Sequence, residues 1–219
     1  TEPVQTSPVQ TNPAQTAPDQ TTHTHVWQEA TCMAAKTCVT CGVTEGKALE
    51  HQWTDATYER ASHCPMCGSV AGKSLPYPLT WCNKLEDTNT PGTQMKDVRV
   101  GDFRDSFGNT QRDALKFWVM DRPGFNDTEY IVYDLTQGFE TLEFTIATDM
   151  ENHRDGTIRI LIYDEDDNLL YDSGWVGNDS QPMQGIVDVA GVDTLRIECT
   201  TDFNKDCYGL FRGILYAQS

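Results

Sequence analysis

Between residues 97 and 219 apolar and polar side chains alternate in short runs. Leu142, Phe144 and Ile146 alternate with Glu143 and Thr145, Ile158, Ile160 and Ile162 form a second run, and Leu195, Ile197 and Cys199 alternate with Arg196 and Glu198. A period of two is the mark of a strand with one face in a core. Asp164-Glu165-Asp166-Asp167-Asn168 is a turn that joins the Ile158 run to Leu169-Leu170-Tyr171 as a tight hairpin. Polar loops are expected at 149–156, 177–181 and 201–205. No long helical period appears. About 120 residues of short strands predict an all-β, two-sheet sandwich. Residues 76–96, with Pro76, Pro78, Pro91 and Gly92, are a join, and Trp81 and Leu85 are candidates to dock on the next domain.

Upstream the pattern changes. Residues 23–76 hold two copies of one unit offset by 26 positions: His25 falls on His51, Trp27 on Trp53, Thr31 on Thr57, Cys38 on Cys64, Cys41 on Cys67, Gly42 on Gly68 and Gly46 on Gly72. A fixed period marks duplicated modules. Neither copy has enough apolar residues for a core of its own, so a metal or a crosslink must hold it. Zinc takes four soft or borderline ligands at tetrahedral angles, and the repeat offers the thiols of Cys32, Cys38 and Cys41 with His25 before and His51 after, of which the three thiolates and His51 make one closed site. In the second copy Tyr58 replaces the first thiol and Tyr77 stands where the closing histidine would be. Cys64 and Cys67 then have three outcomes: zinc with His63 and one of the repeat histidines, a disulfide, or a four-cysteine ribbon with Cys38 and Cys41, which ranks second because it ignores Cys32 and His51. Disulfides without metal remain open for the whole region. Trp27, Trp53 and Leu49 are expected to cover the site.

Residues 1–22 repeat Thr, Pro and Gln and read as an extended linker with nothing to bury. Thr1 opens directly on this tail without a secretory signal, as a mature or trimmed chain would. The expected division is therefore 1–22 linker, 23–76 Cys/His repeats and 77–219 sandwich. The net charge is −17, and residues 76–219 carry 26 acids against 12 bases. Such a surface repels phosphate, which argues against nucleic acid and anionic membrane and suits neutral sugars, divalent cations or basic proteins. No apolar run reaches the roughly 20 residues of a membrane helix.

Two resemblances follow from particular words. His25-x-Trp27, Ala30-Thr31-Cys32, Lys36-Thr37-Cys38, Cys41-Gly42, Glu45-Gly46 and Ala48-Leu49-x-His51-x-Trp53 resemble a short module found in tandem in surface and secreted proteins of gut Firmicutes, which implies a secreted or cell-surface bacterial setting. Gly108 to Phe117, Tyr133-Asp134-Leu135, Thr141 to Ile146, Leu170 to Gly174 and Val187 to Ile197 resemble the NPCBM family of carbohydrate-binding modules. That resemblance covers about residues 95–217 and implies a galactose-binding-like jelly roll of the kind that accompanies secreted glycosidases. The stretch Asp206-Cys207-Tyr208-Gly209-Leu210-Phe211 departs from the acidic, His- and Trp-containing ending usual in that family.

A sugar site needs an exposed aromatic face with polar groups around it. Trp175 is the first candidate; Trp118, Phe125 and Tyr130 are others, with Arg122, Asn126 and Asp127 as hydrogen-bonding neighbours. Asp164-x-Asp166-x-Asn168 lacks the glycine and distant glutamate of a calcium loop, which leaves calcium elsewhere in the sandwich as an open possibility. Cys199 and Cys207 flank a seven-residue loop and are expected to bridge the ends of one hairpin, with Cys82 as a rival partner. No Gly-x-Ser-x-Gly elbow or His-Glu-x-x-His motif is present. The expectation is a non-catalytic glycan-binding module carrying zinc; the alternative is a structural or protein-interaction module at the cell surface.

Overall fold

The computed structural model describes residues 23–89, 98–121, 123 and 127–217. The linker expected at 1–22 lies outside these. The described chain divides after Glu50 into two compact units.

The first unit holds the first repeat. Strands β1 (Trp27–Gln28), β2 (Lys36–Cys38) and β3 (Thr44–Glu45) pair in that order. A tight turn follows β2. The Cys38 amide donates to Val43 O at 2.8 Å and the Gly42 amide to Cys38 O at 2.9 Å. Gly42 has φ +72, a conformation that glycine adopts without strain.

The second repeat folds the same way, with β4 (Ser62–His63) against β5 (Val70–Ala71). Cys64 donates to Ser69 O and Gly68 to Cys64 O, both at 2.8 Å. The loop bonds recur at the same offset: Thr31 to Ala34 O becomes Thr57 to Arg60 O, and Leu49 to Thr31 O becomes Leu75 to Thr57 O. This copy groups with the sandwich in the second compact unit. The Ala217 amide donates to the buried Ser74 Oγ at 2.9 Å. Lys73 pairs with Glu143, and its ammonium lies 4.7 Å from the Tyr216 ring centroid. Tyr58 meets Tyr77 and Trp81 edge-on, and Tyr77 packs on Phe139. The two tyrosines that replace Cys32 and His51 in the repeat thus form an aromatic anchor.

The sandwich begins with β6 (Tyr77–Pro78), a 3-10 turn (Leu79–Trp81) and β7 (Lys84–Asp87). It continues with β8 (Val98–Arg104), β9 (Thr110–Val119), β10 (Thr128–Asp134), β11 (Phe139–Thr148) and β12 (Thr157–Tyr163). The last strands are β13 (Leu169–Asp172), β14 (Val176–Gly177), β15 (Met183–Asp188), β16 (Thr194–Thr200) and β17 (Cys207–Ala217). One antiparallel sheet runs β13-β12-β16-β10-β7, with β14 beside β12. The other runs β15-β11-β17-β9-β8, with β6 beside β17. Ile158, Ile160 and Ile162, Leu195 and Ile197, and Ile131 and Tyr133 face inward from the first sheet; Leu115 and Phe117, Leu142 and Ile146, and Phe211 and Leu215 face them from the second. This is an all-β sandwich of two sheets, as the alternation predicts, with the galactose-binding-like jelly-roll form that the family resemblance implies. Residues 164–168 turn between β12 and β13 as expected. Among the described residues no helix is long and apolar enough to cross a membrane.

One expectation is corrected. Cys199 lies on β16 and Cys207 on β17, which belong to opposite sheets, so their connection crosses the core instead of closing a hairpin. Both are buried free thiols, as is Cys82. Trp81 meets the Tyr77 ring of β6 edge-on and, like Leu85, stays about half exposed.

Candidate functional site

In the first unit the antiparallel pairing of Trp27 with Cys38 brings the segment before β1 against the turn after β2. The Val39 amide fastens it, donating to Val26 O at 2.9 Å. His23, His25, Cys38 and Cys41 consequently converge, with one ligand atom from each inside a group whose members all lie within 4.8 Å of one another. His23 Nε2 is 3.5 Å from Cys38 Sγ, and His25 Nδ1 is 3.5 Å from Cys41 Sγ. The His25 ring stacks on Trp27. Burial works against the Cys38 thiolate, but hydrogen bonds from His25, the Cys41 amide, His23 and the Thr40 amide outweigh it and bring the thiol down to about 5.

The same arrangement recurs in the second copy. His51, Cys64 and Cys67 gather within 4.8 Å. His51 Nδ1 is 3.4 Å from Cys67 Sγ, and its ring tilts on Trp53. The hydrogen bond from His51 holds Cys64 at about 6 against the effect of burial, and the same bond raises the imidazole. Position 49, equivalent to His23, is leucine.

The expected ligand sets are therefore regrouped. Cys38 and Cys41 gather with His23 and His25, while Cys32 is buried in the first unit and is not one of that four. The physical reason is the strand pairing, which draws in the histidines that precede the turn. Each Cys-x-x-Cys pair collects its own imidazole, unlike a four-cysteine ribbon. His63 is engaged elsewhere, its Nδ1 lying 2.8 Å from Thr54 Oγ1. Sequence reasoning passed over His23, although its place two residues before His25 puts it on the same side of an extended chain.

On the sandwich the sugar candidates do not meet. Trp175 follows β13, is 48% exposed, and has the Arg159 guanidinium 5.9 Å from its ring centroid. Arg159 Nε donates to Asp172 Oδ1 at 2.7 Å, and its Nη2 pairs with Oδ2. The guanidinium, helped by the Gly174 amide, holds Asp172 down at about 2. Ser173 Oγ accepts from the Ile160 amide and donates to Gly174 O, which fixes the segment entering Trp175. Tyr130 lies on the outer face of the same sheet and donates to Glu86. Trp118 belongs to the other sheet and is only partly exposed, its Nε1 donating to Asp206 Oδ1 at 2.9 Å. Arg122, Phe125 and Asn126 lie outside the described residues, and the Asp127 carbonyl accepts from the Thr201 amide.

The structure adds a groove of about 630 Å³ on the outer face of the β11–β17 sheet, lined among others by Glu143, Gln184, Ile186, Arg212 and Tyr216. Alternation along β11 and β17 places each of these strands' outer residues, but only their pairing, Glu143 opposite Ile214 and Thr145 opposite Arg212, brings them together. The acidic turn at 164–168 binds itself: Asp164 Oδ1 accepts from the Asp166 and Asn168 amides and Oδ2 from the Asn168 side chain.

No family model and no curated protein matches this chain. Solved structures do match. A Clostridium perfringens ZmpB structure that contains CBM51-2 in complex with GlcNAc and INT domains has a TM-score of 0.51 at 13% identity, covering 68% of this chain and 33% of that one. The tandem CBM51 modules of a family 98 glycoside hydrolase from Streptococcus pneumoniae have a TM-score of 0.51 at 12% identity, covering 68% and 52%. A CBM51 from Clostridium perfringens GH95, solved with methyl-galactose, is 15% identical at a TM-score of 0.49, covering 64% and 99%. This chain spans about a third of the ZmpB structure and about half of the tandem modules. At such identities the likeness establishes the fold.

Proposed function

We propose that the sandwich is a non-catalytic glycan-binding module of an extracellular bacterial protein, and that Trp175 is its platform. The observation that carries the reading is an exposed indole beside a pre-oriented ion pair, on a fold shared with carbohydrate-binding modules. The apolar face of a pyranose stacks on an aromatic ring, and nearby polar groups fix its hydroxyls. Arg159 supplies donors and Asp172 acceptors, and their mutual pairing limits the ordering cost on binding. The acidic surface favours neutral over anionic glycans.

The test is a glycan array with the full chain, with and without calcium. Trp175→Ala is expected to weaken the retained glycan at least about tenfold, roughly 1.4 kcal/mol, without changing the unfolding midpoint. Binding that survives Trp175→Ala and falls with Arg212→Ala moves the site to the groove on the opposite sheet. Silence of the folded protein on a broad array supports the alternative, a surface module for protein partners, which the net charge of the sandwich would direct to basic ones.

A further inference from the structure

We propose that His23, His25, Cys38 and Cys41 form a closed structural zinc site and that the first repeat folds around it. Three observations support this, independent of the sandwich and its glycan reading. The first is metric. Zinc bound tetrahedrally by sulfur at about 2.3 Å and nitrogen at about 2.0–2.1 Å requires sulfur–nitrogen edges of about 3.5 Å. Two of the four sulfur–nitrogen edges, His23 Nε2 to Cys38 Sγ and His25 Nδ1 to Cys41 Sγ, are 3.5 Å, and all four ligand atoms lie within 4.8 Å of one another.

The second is the lack of any other core. Among residues 23–76 the buried apolar-class side chains are Cys32, Cys38, Ala61 and Cys64, while Val26, Met33, Val39, Val43 and Leu49 are exposed. Packing of so little apolar surface cannot hold the turn and the preceding histidine segment in place, whereas a structural zinc ion contributes folding free energy directly. The third is recurrence. A second copy with different intervening residues gathers His51, Cys64 and Cys67 around the same turn, with 3.4 Å between His51 Nδ1 and Cys67 Sγ. Two thiolates and two imidazoles fill the coordination shell, so the ion has no open position for substrate and its role is structural.

The experiment is native mass spectrometry of the full chain refolded with zinc under reducing conditions, with cobalt substitution read by thiolate-to-metal absorption. A bound ion is expected that Cys38→Ser removes and Cys64→Ser leaves. His25→Ala should lose it, whereas His25→Cys, which retains a soft ligand, should keep it; a merely structural histidine would not be rescued in this way. An unchanged ion count in Cys38→Ser, or a zinc-free chain after loading, would overturn the proposal. Its failure would leave the glycan array unaffected, and failure on the array would leave the ion count unaffected.

Discussion

Asp105 is fully buried at the end of β8, where its Oδ1 accepts from the Phe107 and Asn109 amides and its Oδ2 from Gln111 Nε2 at 3.0 Å. Burial alone would raise its pKa; the donors outweigh it and hold the carboxyl below the 3.8 of an ordinary aspartate. A depressed folded-state pKa means that the ionised form contributes stability at pH values above the unfolded pKa. That contribution disappears as pH falls through the folded value. Asp105→Ala, which leaves buried donors without an acceptor, is expected to cost about 3 kcal/mol at pH 7. It should also flatten the loss of stability between neutral pH and pH 3, measured by urea unfolding across that range. An unaltered pH slope would mean that other carboxylates govern acid unfolding.

At the scale of elements, Lys116 of β9 ties three strands together. Its ammonium is 2.9 Å from Asp149 Oδ1 just past β11 and 2.6 Å from Glu151, and it lies over the rings of Tyr208 on β17 and Phe103 on β8. Lys116 and Asp149 have side chains only 9% and 3% exposed, while Glu151 is 67% exposed. Removing one partner of a buried pair strands the other charge. Lys116→Met should therefore destabilise the sandwich by about 3–5 kcal/mol, and Glu151→Ala by less than about 1 kcal/mol. Equal effects in equilibrium unfolding would show that Asp149 finds another partner.

For the whole molecule, the division after Glu50 separates a unit with almost no apolar core from one that buries most of its strands. If zinc holds the first unit, a chelator should expose its backbone to protease near residues 30–45. The thermal transition of the sandwich, dominated by apolar burial, should shift little by comparison. A single transition that moves as one with chelator would show that the units fold together. The second repeat straddles this division in character: its turn copies the first repeat, but Ser74, Lys73, Tyr58 and Tyr77 join it to the sandwich.

The local pattern alone determined the strands around 142–146, 158–162, 169–171 and 195–199, the 164–168 hairpin and the shared turn of the repeats. Each depends on neighbours in sequence: a period of two, a turn that satisfies its own polar groups, and a glycine at positive φ after the second cysteine of each pair. What the tertiary structure decided is which distant residues meet. The pairing of Trp27 with Cys38 chose His23 and His25 over Cys32 and His51 for the first cluster. Placement of β16 and β17 in opposite sheets separated Cys199 and Cys207 from any hairpin. Packing on β17 and Phe139 assigned the second repeat to the sandwich, and the β11–β17 pairing created the groove. Such contacts depend on strand order and register, which the burial energy of the assembled core selects and no single segment encodes.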